Sequence, residues 1–354
     1  MGLVSFLPLR AEENISGANS LRAYADARGL LIGCAVAPEK LRDEAQYAHT
    51  VAEQENLLVA ENAMKWHAVH PAPDKYDFAP ADSILAFADA HRQRVRGHNL
   101  CWHEGLPDWF QSIVTKNNAR QILTEHIRAV AGHFAGKLHS WDVVNEALNL
   151  KDGRPDGLRK SPWLELAGPD YIDLAFHTAR EADPRAQLAY NDYGIELDYP
   201  EDALKREKLL DMVRGMKKRN VPIDAVGIQS HLTAGVKAPG DGLREFVRKL
   251  HDMGLQVFIT ELDISDHKVQ GTMAERDAAV AHLYGDYLRT MLAEPNVTAV
   301  LTWGITGKYT WLNHQNPRSD GQPQRCLPFD AEYKPTPAFF AVRNALTGAS
   351  QHLL

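Results

Sequence analysis

Cysteine is nearly absent from this chain of 354 residues: Cys34, Cys101 and Cys326 are the whole supply. Three thiols cannot build a disulfide framework, and an odd number leaves at least one unpaired. Long hydrophobic runs are missing too. None approaches the roughly 20 residues needed to span a bilayer. The start, MGLVSFLPLR, has a short apolar patch without the charged beginning and long apolar core of a signal peptide. The cytoplasm, or an exported location with the signal already removed, both fit. Positive charge is in deficit, with 39 Lys and Arg against 46 Asp and Glu and a formal net charge of −7. That balance speaks against a general nucleic-acid binder, which shows a basic face, and suits a neutral partner. No biased tract, repeat or Ser/Thr/Pro-rich linker divides the chain. Its one dense glycine stretch, from Gly235 to Gly242, lacks the spacing of a phosphate cradle. One domain is expected over residues 21–354, preceded by a polar surface arm at 1–20.

What the chain does have is a regular alternation. Strand-like runs fall at Leu30–Val36, Leu57–Glu61, Arg94–Trp102, Leu138–Asn145, Gln187–Asn191, Ala225–Ser230, Gln256–Glu261 and Val297–Trp303. Helix-patterned segments lie between them, at Leu41–Glu53, Pro80–Arg92, Asn118–Phe134, Tyr171–Glu181, Ala203–Arg219, Leu243–Met253 and Ala274–Ala293. A last one at Ala338–Leu346 closes the chain. Eight strands alternating with eight helices imply an α/β fold with a parallel sheet. The count and the length favour a closed (β/α)8 TIM barrel over an open sheet. Such barrels keep their chemistry at the C-terminal strand ends. Here those ends carry Glu61-Asn62, His98 to His103, Asn145-Glu146, Asn191-Asp192, Gln229 and His231, Glu261 with Asp263, and Trp303-Gly304.

Glu146 and Glu261 lead. A carboxylate at the end of a buried strand is costly, so two of them on strands four and seven need a reason. Cleaving a glycosidic bond supplies one: an acid protonates the leaving oxygen while a carboxylate attacks the anomeric carbon. One of the two must then hold its proton near neutral pH, which the charge of the other favours. The structural alternative is an ordinary ion pair with a nearby Arg or Lys. His98, His103 and His231 have neither the spacing of a zinc site nor a cysteine cluster to help, so hydrogen bonding beside the carboxylates is expected rather than metal ligation. Trp66, Trp102, Trp303 and Trp311 sit at or past strand ends, where an aromatic face can stack on a sugar; core filling is the alternative. Lys65 reads as a donor to sugar hydroxyls or as a solvated lysine. The clusters at Lys205–Lys208 and Lys217–Arg219 read as solvated helix faces.

Seven segments taken together resemble glycoside hydrolase family 10, the retaining endo-β-1,4-xylanases: ENAMKW (61–66), RGHNLCWH (96–103) followed by LPDW (106–109), WDVVNEA (141–147), NDY (191–193), GIQSHL (227–232), TELD (260–263) and WGI (303–305). The resemblance covers about Leu21 to Leu346. It implies that Glu146 is the acid/base and Glu261 the nucleophile of a double displacement that retains anomeric configuration. Asn145, Gln229, Lys65 and His98 would hold the sugar at the cleaved position, with Glu61 and Asn62 on the next sugar. His231 would contact substrate and orient Glu261, with Asp263 behind it. Trp102, Trp303 and Trp311 would wall the site, and His103 would support it. No cofactor or metal is called for. The implied partner is a polysaccharide, xylan or its oligosaccharides, met by a monomer without nucleic acid or membrane. A polymer substrate in turn implies a secreted or periplasmic enzyme.

The sequence departs from the family in three places. Gly105 stands where the family usually has Gln, removing a polar contact on the non-reducing side. Gly307 stands where an Asp is usual, in the loop that carries Trp311. Lys334-Pro335-Thr336-Pro337-Ala338 replaces a shorter Lys-Pro-Ala. The first two leave room for a retaining β-glycosidase acting on another β-linked glycan or a plant glycoside. A barrel kept only for binding carbohydrate is a further alternative.

Overall fold

The computed structural model describes residues 14–348. Eight strands form the barrel: β1 (Leu31–Val36), β2 (Leu57–Ala60), β3 (Arg94–Cys101), β4 (Ser140–Asn145), β5 (Gln187–Asp192), β6 (Ala225–Ile228), β7 (Gln256–Ser265) and β8 (Val297–Thr302). Each pairs in parallel with its chain neighbour, and β8 pairs with β1 to close the ring. This is the (β/α)8 barrel expected from the alternation. A short extra strand, His231–Thr233, runs beside the outer end of β7. No helix among the described residues is long and apolar enough to cross a membrane.

The helices fall where the apolar periodicity placed them, with ends shifted by a few residues. Two differences have local causes. The first predicted helix divides into Pro38–Asp43 and Ala45–Gln54, because Glu44 between them is extended, with φ −124° and ψ 97°. The helix at Pro200–Lys218 starts three residues early, with Pro200 in its first turn, where a missing N–H costs nothing. Residues 1–13 of the expected arm lie outside the described residues. Residues 14–20 lie mostly at the surface and are tied to the barrel: Gln54 donates to the Ile15 carbonyl, and Ser20 is buried as the N-cap of the helix Leu21–Asp26.

Two apolar cores result. The larger lies between strands and helices, and it takes in Trp66, Trp141 and Trp163. Trp66 is 1% exposed, its indole donating to the Leu100 carbonyl and its ring stacked on His126, so it is core and not a sugar platform. The smaller core fills the barrel with Leu31, Ala35, Leu57, Val59, Ala189, Ala225, Phe258, Ala299 and Leu301. Four of these nine are alanines, which leaves space for something larger. Arg96 extends inside the barrel, its guanidinium 5.1 Å from the Phe258 ring centre. It donates to Ser140 Oγ (3.0 Å) and pairs with Asp142. The other oxygen of Asp142 meets His98 Nδ1 at 3.0 Å. A polar column thus rises from the barrel centre to its mouth.

Lys205 and Arg206 correct the expectation of a solvated helix face. Both are buried: Lys205 Nζ donates to Asp192 Oδ1 (2.7 Å) and the Tyr193 carbonyl (2.6 Å), and Arg206 holds the carbonyls of Ile195 and Leu197. The helix thereby secures the loop after β5. All three cysteines are buried and free.

The column sets a stability test. Asp142→Asn leaves Arg96 charged, buried and without its counter-ion, which costs about 3–5 kcal/mol. A denaturant titration should show that loss, while Asp142→Leu combined with Arg96→Met should recover most of it. Equal losses in both would mean that packing, not the unpaired charge, holds the column.

Candidate active site

Glu146 is the first residue past β4 and has φ +57°, the left-handed region that a glutamate rarely occupies. Its backbone is held on both sides. The N–H donates to the Asn191 carbonyl on β5 (2.8 Å), and the carbonyl accepts from Arg159 Nε (2.7 Å). The turn aims the carboxylate back over the barrel mouth. Glu261 reaches the same mouth from within β7, where the pairing to β8 shifts register between Ile259 and Leu262. Its N–H donates to the Gln229 carbonyl at 3.0 Å.

The two carboxylates have different partners. Glu146 Oε1 accepts from Gln229 Nε2 (2.9 Å) and Asn145 Nδ2 (3.2 Å), and Oε2 accepts from Trp102 Nε1 (2.9 Å). All three donors are neutral. Glu261 Oε1 accepts from Asn191 Nδ2 (2.8 Å), and Oε2 lies 3.1 Å from His231 Nε2. The other nitrogen of His231 is 2.9 Å from Asp263. Asn191 also donates to Asn145 Oδ1 (2.9 Å), so a chain of amides joins the two glutamates. Thr260 Oγ1 donates to Asn191 Oδ1 (2.7 Å) and so turns the amide NH2 toward them. Gly227 makes room for this: a Cβ there would lie 2.2 Å from Asn191 Oδ1.

These partners separate the two acids. Burial raises Glu146 above the ordinary carboxylate range, against the lowering pull of the Gln229 and Trp102 hydrogen bonds. The charge of Glu261 adds to the rise but is a lesser cause than burial, contrary to the emphasis of the sequence analysis. Burial pushes Glu261 up as well, yet the His231 hydrogen bond and the charges of His98 and His231 outweigh it and hold the group at about 2. His231 is raised well above the usual histidine value: burial opposes its charge, but Asp263 and Glu261 prevail. The site therefore offers a proton donor and an ionised carboxylate together.

The carboxylates lie in a cleft of about 640 Å³, lined also by Lys65, His98, Trp102, Asn145, Gln229, His231, Trp303 and Trp311. Ten of the residues singled out from sequence, counting both glutamates, thus share one space. Burial lowers the Lys65 ammonium, with the surrounding carboxylates pulling the other way. Glu61 and Asn62 stand aside. Glu61 is 3.9 Å from Lys40 in an adjoining pocket that shares Trp303 and Trp311, so part of the ion-pair alternative applies to it. Asn62 is exposed and accepts from Lys65 Nζ at 2.9 Å. His103 comes within 3.9 Å of Glu146, and burial with the nearby Arg159 brings it down to about 4. Asp263, besides holding His231, accepts from Trp311 Nε1 at 2.7 Å. That bond seats Trp311 against the His231 ring despite Gly307. Among the described residues no cluster of three or more His, Cys, Asp or Glu could hold a metal ion.

Residues 20–345 match the family model described as "Glycosyl hydrolase family 10". The chain belongs to that family. It is 37% identical to a "Beta-1,4-xylanase" of Dictyoglomus thermophilum over 304 residues, 84% of this chain and 83% of that protein. It is 36% identical to the "Exoglucanase XynX" of Acetivibrio thermocellus over 326 residues, 88% of this chain but 28% of that longer protein. Among solved structures, xylanase 10B of Thermotoga petrophila RKU-1 in complex with xylobiose superposes with a TM-score of 0.84 at 34% identity, covering 93% of this chain and 97% of that one.

Family 10 sequence motifs did not disclose every participant. Asn191 was visible as a strand-end amide like Asn145, but its link between the two glutamates was not. Tyr193, 40% exposed on the cleft wall, accepts from Arg159 at 3.0 Å and lies over Lys205 Nζ. Glu104 and Glu196 also line the cleft, and neither belongs to a spacing that sequence alone would single out.

Trp102→Phe keeps the ring and removes the N–H that Glu146 Oε2 accepts. The Glu146 carboxyl should then titrate at higher pH, followed by carbon NMR of labelled glutamate. A titration that does not move would remove the Trp102 bond from the tuning of this group.

Proposed function

We propose that the chain is an endo-β-1,4-xylanase that hydrolyses internal xylosidic bonds with retention, Glu261 acting as nucleophile and Glu146 as acid and then base. The observation that carries this is the opposite tuning of two buried carboxylates over one cleft. Ionised Glu261 attacks the anomeric carbon while Glu146 gives its proton to the leaving xylose oxygen. The bond to the leaving group breaks and a glycosyl ester on Glu261 forms. Glu146, now a carboxylate, takes a proton from water, whose oxygen displaces Glu261 and restores the original configuration.

The family resemblance supports the remaining roles. Lys65, His98, Asn145 and Gln229 contact the sugar at the cleaved bond. His231 meets substrate and keeps Glu261 ionised, and Asp263 holds His231 and Trp311. Trp102, Trp303 and Trp311 stack on sugar faces, whose C–H groups match an aromatic surface. Glu61 and Asn62 serve the next sugar toward the non-reducing end, and His103 supports Glu146. The family match over residues 20–345 supports residues 21–354 as the catalytic domain, which in this reading acts as a monomer. Xylan is too large to enter a cell, which supports action outside the cytoplasm.

A second reading, a glycosidase for another β-linked glycan, draws on Gly105. Its φ of +63° suits glycine, and its carbonyl accepts from the His67 N–H (2.9 Å) instead of a side chain facing the sugar. The exoglucanase relative points the same way.

Three measurements separate these readings. Glu261→Ala should lose xylan hydrolysis by several orders of magnitude, and added azide should then give a glycosyl azide of inverted configuration. Unchanged hydrolysis by that variant would remove Glu261 from its role. The wild-type rate profile should have its acid limb far below the ordinary carboxylate range and its basic limb above it. Finally, rates on xylan should exceed those on carboxymethyl cellulose. Activity confined to glucans would favour the second reading, and no reducing-sugar release from either would leave only a binding barrel.

A further inference from the structure

The catalytic pair is partnered from one short break in the sheet. β6 ends at Ile228, and the next strand begins at His231. Between them Gln229 donates to Glu146 (2.9 Å), and immediately after them His231 contacts Glu261 (3.1 Å). The residue joining the two, Ser230, is fully buried with φ +69°. A serine is strained there, and such a conformation persists only where its surroundings impose it.

Glu196 imposes it. This residue of the loop after β5 is 4% exposed, and its Oε1 accepts the Ser230 N–H at 3.1 Å. Its Oε2 accepts the Ile195 N–H at 2.7 Å. No cation pairs with Glu196 among the described residues, and burial raises its carboxyl above the ordinary range. A buried acid without a counter-ion is expensive, and a plain turn does not require one. Of the groups packed around it, Asp202 on the helix Pro200–Lys218 and Tyr287 on the helix Met273–Met291 add no positive charge, while the two cations of the former helix are spent elsewhere: Lys205 on Asp192 and the Tyr193 carbonyl, Arg206 on the Ile195 and Leu197 carbonyls. Tyr287 itself grips the other side of the turn, its hydroxyl 2.7 Å from Ser230 Oγ.

We propose that Glu196 is a positioning residue for both halves of the reaction: by clamping the Ser230 turn it sets Gln229 on the acid/base and His231 on the nucleophile at once. The inference rests on Glu146 and Glu261 being the reacting pair. Its consequence is directional. The Gln229 bond lowers Glu146 and the His231 bond lowers Glu261. Releasing the turn loosens both, so both groups titrate higher.

The test is the pH dependence of kcat and kcat/KM on xylohexaose for wild type, Glu196→Ala, Glu196→Gln and Tyr287→Phe. Glu196→Ala should lose at least about tenfold in kcat with KM changed much less, and both limbs of its profile should move to higher pH. Glu196→Gln, whose amide oxygen can still accept the Ser230 N–H but whose NH2 then faces the Ile195 N–H, should restore part of the rate and return the limbs part of the way toward wild type. Tyr287→Phe, remote from substrate, should move the limbs in the same direction by less, and it keeps the test open if Glu196→Ala does not fold. A merely structural role would lower the amount of active enzyme and leave the limbs in place. Unmoved limbs in folded Glu196→Ala, or in Tyr287→Phe if that variant alone folds, would overturn the proposal. Glu261→Ala assayed in parallel reports on the reacting pair itself, so failure of that assignment is seen separately.

Discussion

A carboxylate entering a barrel mouth loses its water, and only donors or positive charge can replace what the water supplied. Glu261 is given both: the Asn191 amide on one oxygen, and on the other a histidine held by Asp263. Glu146 is given indole and amide hydrogens alone, and the nearest guanidinium, Arg159, is directed to its backbone carbonyl. The burial of both therefore resolves into opposite protonation. The division of labour in a retaining glycosidase is set less by the two acids repelling each other than by where the one charged donor is placed.

That placement requires support deep in the barrel. Asn191 can face both glutamates only because Thr260 holds its side-chain oxygen and Gly227 leaves it space. Below His98, Asp142 and Arg96 continue the polar column to the barrel centre. The alanines of the inner core are the counterpart of that column, because a barrel packed with branched side chains in every layer would have no volume for a guanidinium. Here the fold has given up apolar filling to carry charge to its mouth.

Much of this was legible in the sequence, for a physical reason. Strands of a parallel barrel are buried on both faces and read as apolar runs, so a polar residue at their ends stands out. Glu146, Glu261, Gln229 and Trp303 were visible that way. What was not legible depends on long-range placement. Lys205 and Arg206 look like any charged helix face until Asp192 and the loop carbonyls are found above them. Trp66 occupies a strand-end motif yet points into the outer core. The left-handed conformations of Glu146 and Ser230 have no composition signal, because neither position is glycine.

Glu44 lies in the interruption between the first two helices after β1. It accepts from Lys308, Tyr309 and Tyr333, residues of the segment after β8, and these bonds hold it at about 2 despite its partial burial. The loop that presents Trp311 is therefore fastened to the opening βα unit of the chain and not only to its own strand. Barrels of this kind are often treated as eight interchangeable strand-loop-helix cassettes. In this molecule the first and last cassettes are one part, and a loop transplanted after β8 would arrive without its anchor unless the stretch around Glu44 came with it.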